Sequence, residues 1–165
     1  MATAQRLIVY QVFPRILTNT NSNNVVDGTL EQNGSGHLAD YTPKLLRSIK
    51  SLGVNCIWLT GVIEHATKSD FTAFDIPLDN ANVVKGEAGS PYAIKDYYDI
   101  DPALAVDVNN RMGEFQECVE RIHKEGMRVI IDFVPNHTAR EYHSDVASAG
   151  IEDFGAHDDN TKFFD

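Results

Sequence analysis

Short, dense apolar runs alternate along this chain with longer polar stretches, and the spacing inside each run predicts its conformation. Residues 7–13 (LIVYQVF) are β-branched and aromatic and close on Pro14, which predicts a first strand. Residues 18–36 are rich in Asn, Ser and Gly and predict a long surface loop. Thr42 then suits a helix N-cap and Pro43 the first helical position. Leu45, Leu46, Ile49 and Leu52 recur on one helical face, and Gly53 can stop the helix. Residues 54–59 (VNCIWL) predict a second strand. Residues 60–109 hold many aromatics and aspartates but no long period, and a loop of that length in a compact domain points to function. Asn110 is expected to cap a second helix whose inner face carries Phe115, Cys118, Val119 and Ile122, with Gly126 as its stop. Residues 127–134 (MRVIIDFV) predict a third strand, and residues 135–165 return to acidic, loop-like sequence.

Strands that are apolar almost throughout, separated by amphipathic helices, predict a parallel sheet covered by helices. The connections are asymmetric: each helix runs into the next strand through a single glycine, whereas each strand leaves through a long loop. A (β/α)8 barrel has this asymmetry, because its site is built from the loops after the strands and the opposite face is kept short. An open doubly wound sheet binds ligand on the same side, but with a glycine-rich first turn. Here the first strand leads into Phe13-Pro14-Arg15, with no G-x-G-x-x-G.

Composition narrows the partners. The 165 residues carry a formal net charge of −10, which opposes nucleic acid and anionic membrane alike and suits a neutral substrate. A hydrophobic fraction of 42% is enough for a real core. Cys56 and Cys118 sit in apolar runs, away from metal-ligand spacing, and read as buried free thiols. The N-terminal residues show no leader pattern, and no run approaches the ~18 apolar residues of a membrane span. The expected location is cytoplasmic as written, or secreted or periplasmic where a signal peptide has been removed.

Two segments carry candidate chemistry. Asp132-Phe133-Val134-Pro135-Asn136-His137 sets a carboxylate, an amide and an imidazole at the C-terminal mouth of the sheet. Residues 91–102 (PYAIKDYYDIDP) offer aromatic faces to stack on a sugar ring and carboxylates to accept its hydroxyls. Together with residues 8–15 (IVYQVFPR) and 52–59 (LGVNCIWL), these segments stand in the order found in the α-amylase family of glycoside hydrolases, family thirteen, which the chain resembles over almost its whole length. Residues 97–102 match the family pattern D-Y-x-x-I-D-P, and residues 132–137 match its first conserved region, D-x-V-x-N-H.

That resemblance implies the first three strand–helix units of a (β/α)8 TIM barrel, truncated before strand four. Residues 1–136 would be the N-terminal part of the barrel and residues 137–165 the start of the domain inserted after strand three. Tyr92 would stack on the sugar at the cleavage subsite, although Pro91-Tyr92-Ala93 replaces the usual Gly-Tyr-Asp. His137 would hydrogen-bond the same sugar, Asp132 would brace the loop, and Asn136 would be a possible Ca2+ ligand. No organic cofactor is implied. The asparagines of the first loop (Asn19, Asn21, Asn23, Asn24, with Asp27) could also bind calcium, with a plain surface loop as the simpler reading. The nucleophile and acid/base of a retaining α-glucan hydrolase would lie beyond Asp165, leaving Asp153, Asp158, Asp159 and Asp165 as solvated loop carboxylates and this chain inactive by itself. A transglycosidase or glycosyl isomerase of the same superfamily is the alternative, and a non-catalytic carbohydrate-binding or interaction module the alternative of another class. Open sheet edges would favour self-association.

Overall fold

The computed structural model describes residues 6–153. Its sheet has three parallel strands in the order β1 (Val9–Val12), β2 (Cys56–Leu59) and β5 (Arg128–Ile131). The register sets Tyr10, Ile57 and Val129 in one row and Gln11, Trp58 and Ile130 in the next. Because side chains alternate along a strand, Tyr10, Val12, Ile57, Leu59 and Val129 face the helices and join one core with Leu38, Tyr41, Leu46, Ile49, Cys118 and Ile122. The opposite face is open, with Val9 and Ile130 exposed and Trp58 half-buried. Trp58, which strand context alone puts in the core, therefore belongs to the other side of the sheet.

Between β1 and β2 the chain forms α1 (Pro14–Leu17), α2 (Leu30–Asn33), a 3-10 turn at Leu38–Asp40 and α3 (Pro43–Lys50). Thr42 caps α3 by accepting from the Leu45 N–H. Leu46 and Ile49 are buried, but Leu52 lies past the helix end and is 68% exposed, so it is not part of the inner face. The asparagine-rich stretch is more ordered than a plain loop. Thr29 and Gln32 form a capping box around α2. The amides of Asn19, Asn21 and Asn23 hold the carbonyls of Asn33 and Gln32 at 2.8–3.0 Å.

The expected loop over residues 60–109 contains the main departure from the sequence pattern. It folds into an antiparallel hairpin of β3 (Ile63–His65) and β4 (Ile94–Ile100), with register shifts at Glu64. Its alternation was hidden because several buried positions, on both faces, carry charge instead of hydrocarbon: Glu64, Lys95, Asp96 and Asp99. After 3-10 turns at Pro102–Leu104 and Val108–Asn110 comes α4 (Arg111–Lys124). Asn110 stands at the N-cap position as expected, although its side chain makes no capping bond. Glu114, in the first turn, fixes the chain that leads into the helix by accepting from the N–H groups of Val106 (2.9 Å) and Asp107 (2.7 Å). Arg121 ties α4 to the carbonyls of Leu38 and Tyr41. Among the described residues two helical crossovers join the three parallel strands. No helix of the described residues is long and apolar enough to cross a membrane.

Replacing Glu114 with Ala removes the acceptor from two amides beside the core. The expected loss is about 1–3 kcal/mol, read as a lower midpoint in thermal unfolding followed by circular dichroism. An unchanged midpoint would show that water replaces the carboxylate freely.

Candidate functional site

At the C-terminal end of the sheet, the loops after β1 and β2 meet the segment that leads into β4. Gln11, Val12, Phe13, Thr60, Pro91 and Tyr92 line an open cavity of about 380 Å³ there. The Gln11 side-chain amide donates to the Thr60 hydroxyl at 2.8 Å across its floor. Gly61 permits the close approach of the walls. Its φ is +71°, and a Cβ at that position would lie 2.7 Å from both Phe13 Cε2 and Pro91 Cβ. Tyr92 is 46% exposed, so its ring stands at the rim rather than in the core. Neither Gln11 nor Thr60 was singled out in the sequence; the only available signal was their position at strand ends.

The second expected segment runs beside the same hairpin. Backbone N–H groups of Ala139 and His143 donate to the carbonyls of Ile94 (2.7 Å) and Lys95 (3.0 Å). The Tyr97 hydroxyl donates to the carbonyls of Val134 (2.5 Å) and His137 (3.0 Å), and its ring packs on Phe133 and Tyr142. Tyr92 and His137 thus each lie two residues from the Ile94–Ala139 hydrogen bond. The His137 and Asn136 side chains are exposed. Asp132 is half-buried and accepts from the Trp58 indole N–H at 2.7 Å. Asp153 differs from a solvated carboxylate: it takes hydrogen bonds from His143 Nδ1 (2.7 Å) and the Ser144 N–H (3.0 Å). Asp158, Asp159 and Asp165 lie outside the described residues.

Neither expected calcium position is a complete oxygen cage. Asn136 offers one amide oxygen, where calcium takes six to eight oxygens. In the first loop the carbonyl oxygens of Asn19 and Asn21 already accept from the N–H groups of Asn21 and Asn23. That is the bonding of a self-stapled loop.

Carboxylates gather elsewhere, within the hairpin. Glu64, Asp96, Asp99 and Asp145 each bring one oxygen within 4.8 Å of the others. Arg111 binds Asp99 through Nε (2.7 Å) and Asp145 through Nη2 (2.8 Å). Lys95 Nζ turns the other way, to the Pro77 carbonyl (2.5 Å) and Asp79 (3.4 Å), and reaches Glu64 only at 3.9 Å. Burial pushes the Glu64 carboxyl up to about 8, against the pull of Lys95, and also raises Asp96 and Asp99. The sequence signal was faint: a glutamate inside the apolar run Val62-Ile63-Glu64.

Comparison with known proteins places this geometry. The model of the α-amylase catalytic domain matches residues 11–161, and the chain belongs to that family. It is 30% identical over 139 residues to trehalose-6-phosphate hydrolase of Bacillus subtilis, covering 84% of this chain and 18% of that protein. It is 27% identical over 134 residues to the mouse amino acid transporter heavy chain SLC3A1, covering 81% of this chain and 14% of that one. The solved α-amylase of Lactobacillus plantarum superimposes with a TM-score of 0.55 at 29% identity, over 82% of this chain and 24% of that one. The chain therefore spans less than a fifth of the length of these two curated relatives.

Changing Gly61 to Ala should destabilise the mouth by about 1–3 kcal/mol, through left-handed strain and the contacts with Phe13 and Pro91. Urea unfolding followed by Trp58 fluorescence measures it. A wild-type midpoint would mean that the loops do not press on residue 61.

Proposed function

We propose that this chain is the sugar-gripping N-terminal part of an α-amylase-family glycoside hydrolase that acts on α-glucans with retention. In this reading it supplies the first three strand–helix units of a (β/α)8 barrel, with residues 1–136 in the barrel and residues 137–165 opening the domain inserted after strand three. The observation that supports the proposal is the Ile94–Ala139 hydrogen bond, which lies two residues along the chain from Tyr92 on one side and from His137 on the other. Tyr92 would stack on the apolar face of a pyranose, and His137 would hydrogen-bond the ring as it flattens and gains positive charge. Asp132, held by the Trp58 indole, would keep the loop that bears His137 in register with β2. Retaining hydrolysis also needs a nucleophile and an acid/base carboxyl roughly 5–5.5 Å apart; this reading assigns both to sequence beyond Asp165. A calcium ion at Asn136 would need further oxygens from outside the described residues. Similarity to a hydrolase of trehalose 6-phosphate and to an α-amylase supports a carbohydrate substrate. Similarity to SLC3A1, a transporter heavy chain, favours a second reading, a non-catalytic interaction module.

Maltooligosaccharide titrated into the chain and followed by NMR should bind weakly and without turnover. Tyr92→Ala and His137→Ala should each weaken binding by roughly 3–10-fold, the worth of one stacking contact or hydrogen bond. Binding indifferent to both substitutions, or protein-dependent hydrolysis by the chain alone, would contradict the reading. The same reading treats β1 and β5 as open edges flanking an exposed apolar face, so the chain alone should self-associate. Sedimentation velocity showing a compact monomer at high concentration would count against that.

A further inference from the structure

The carboxylates inside the hairpin outnumber the cations that could neutralise them. Glu64, Asp79, Asp96, Asp99 and Asp145 face Lys95 and Arg111. Glu64 and Asp96 are 1% and 0% exposed, out of reach of solvating water. Buried charge in this excess is costly unless protons or a cation join it.

Hydrogen bonding leaves part of the cluster unused. Asp96 Oδ1 accepts from the Tyr98 N–H and Asp99 Oδ1 from the Ile100 N–H, while Asp99 Oδ2 takes Arg111. Glu64 Oε2 is buried with no hydrogen-bond partner, and Asp96 Oδ2 lacks a well-formed one although Ser144 lies beside that carboxylate. These two oxygens come from facing positions of the antiparallel pair, since Glu64 registers with Asp96. The ligand set then favours one class of ion. Magnesium keeps several waters and takes one or two carboxylates, whereas calcium accepts a cage of six to eight oxygens at 2.3–2.6 Å. Four carboxylate oxygens within 4.8 Å of one another can reach one such ion.

We propose that Glu64, Asp96, Asp99 and Asp145 form a calcium-class cation site, with Arg111 as a fixed positive charge beside it that offsets part of the excess. The ion would bridge β3, β4 and the segment after β5, which carries Asp145. It would clamp that segment to the hairpin on the side chains, as Ala139 and His143 do on the backbone. This site does not depend on the sugar reading, and a non-catalytic relative could use it equally.

Calorimetric titration of calcium chloride into the full, chelator-treated chain tests the proposal. One bound ion is expected with a dissociation constant of about 10⁻⁴ M or tighter, within the range of carboxylate-rich sites. Glu64→Gln and Asp96→Asn should each weaken binding at least tenfold, and Glu117→Gln, on the exposed face of α4, should leave it unchanged. Should either cluster variant fail to fold, tyrosine-sensitised terbium emission from the unsubstituted chain, displaced by calcium and not by equal magnesium, supplies the same reading. No binding at millimolar calcium would overturn the site, because protons alone then neutralise the cluster. Binding that survives both Glu64→Gln and Asp96→Asn would also overturn it, by locating the ion elsewhere.

Discussion

The site depends on main-chain hydrogen bonding to β4. The Ile94 and Lys95 carbonyls hold the N–H groups of Ala139 and His143, and the Tyr97 hydroxyl reaches the carbonyls of Val134 and His137. That segment buries only a few apolar side chains, among them Ala139 and Tyr142, and fixing a loop costs about 1–2 kcal/mol of backbone entropy per residue. Hydrogen bonds to a strand that is itself buried supply the ordering. The backbone around His137 is tied to this strand through the Tyr97 hydroxyl and Ala139.

β4 in turn is anchored by charge. Its partner β3 contributes only Ile63–His65, and beside the buried Ile63, Ile94 and Ile100 the pair also buries Glu64, Lys95, Asp96 and Asp99. Arg111 enters this group from the start of α4, where Glu114 fixes the preceding turn. Helix, hairpin and post-β5 segment therefore share a polar junction beside the hydrocarbon core, to which the hairpin also contributes Ile63, Ile94 and Ile100. Breaking one member of such a junction leaves other buried charges unpaired, which costs more than the pair contributes.

Membership of the α-amylase catalytic-domain family accounts for the layout of the sheet. Its helix-facing residues are buried, whereas Val9, Trp58 and Ile130 point to the side that a closed barrel would fill with side chains from its other strands. The long β-to-α connections carry all the candidate chemistry, and the short α-to-β turns at Gly53 and Gly126 carry none.

Much of the parallel framework was legible from residue order. β-branched runs ending at Pro14, Thr42 followed by Pro43, and the spacing of Leu46 and Ile49 or Cys118 and Ile122 report local conformation and one buried face, and these are properties of neighbours in sequence. Motif order at residues 97–102 and 132–137 supplied the family. The hairpin was not legible, because its buried positions are charged and periodicity detects hydrocarbon. Leu52 and Trp58 were misplaced for a related reason: burial depends on what packs across from a residue, and Asp132 reaches Trp58 from elsewhere in the chain. Local conformation was thus decided by the sequence itself, while the pairing of Glu64 with Asp96, the approach of Arg111 to Asp99 and Asp145 and the bond from Ala139 to Ile94 exist only once residues 12 to 45 positions apart are brought into contact by the fold.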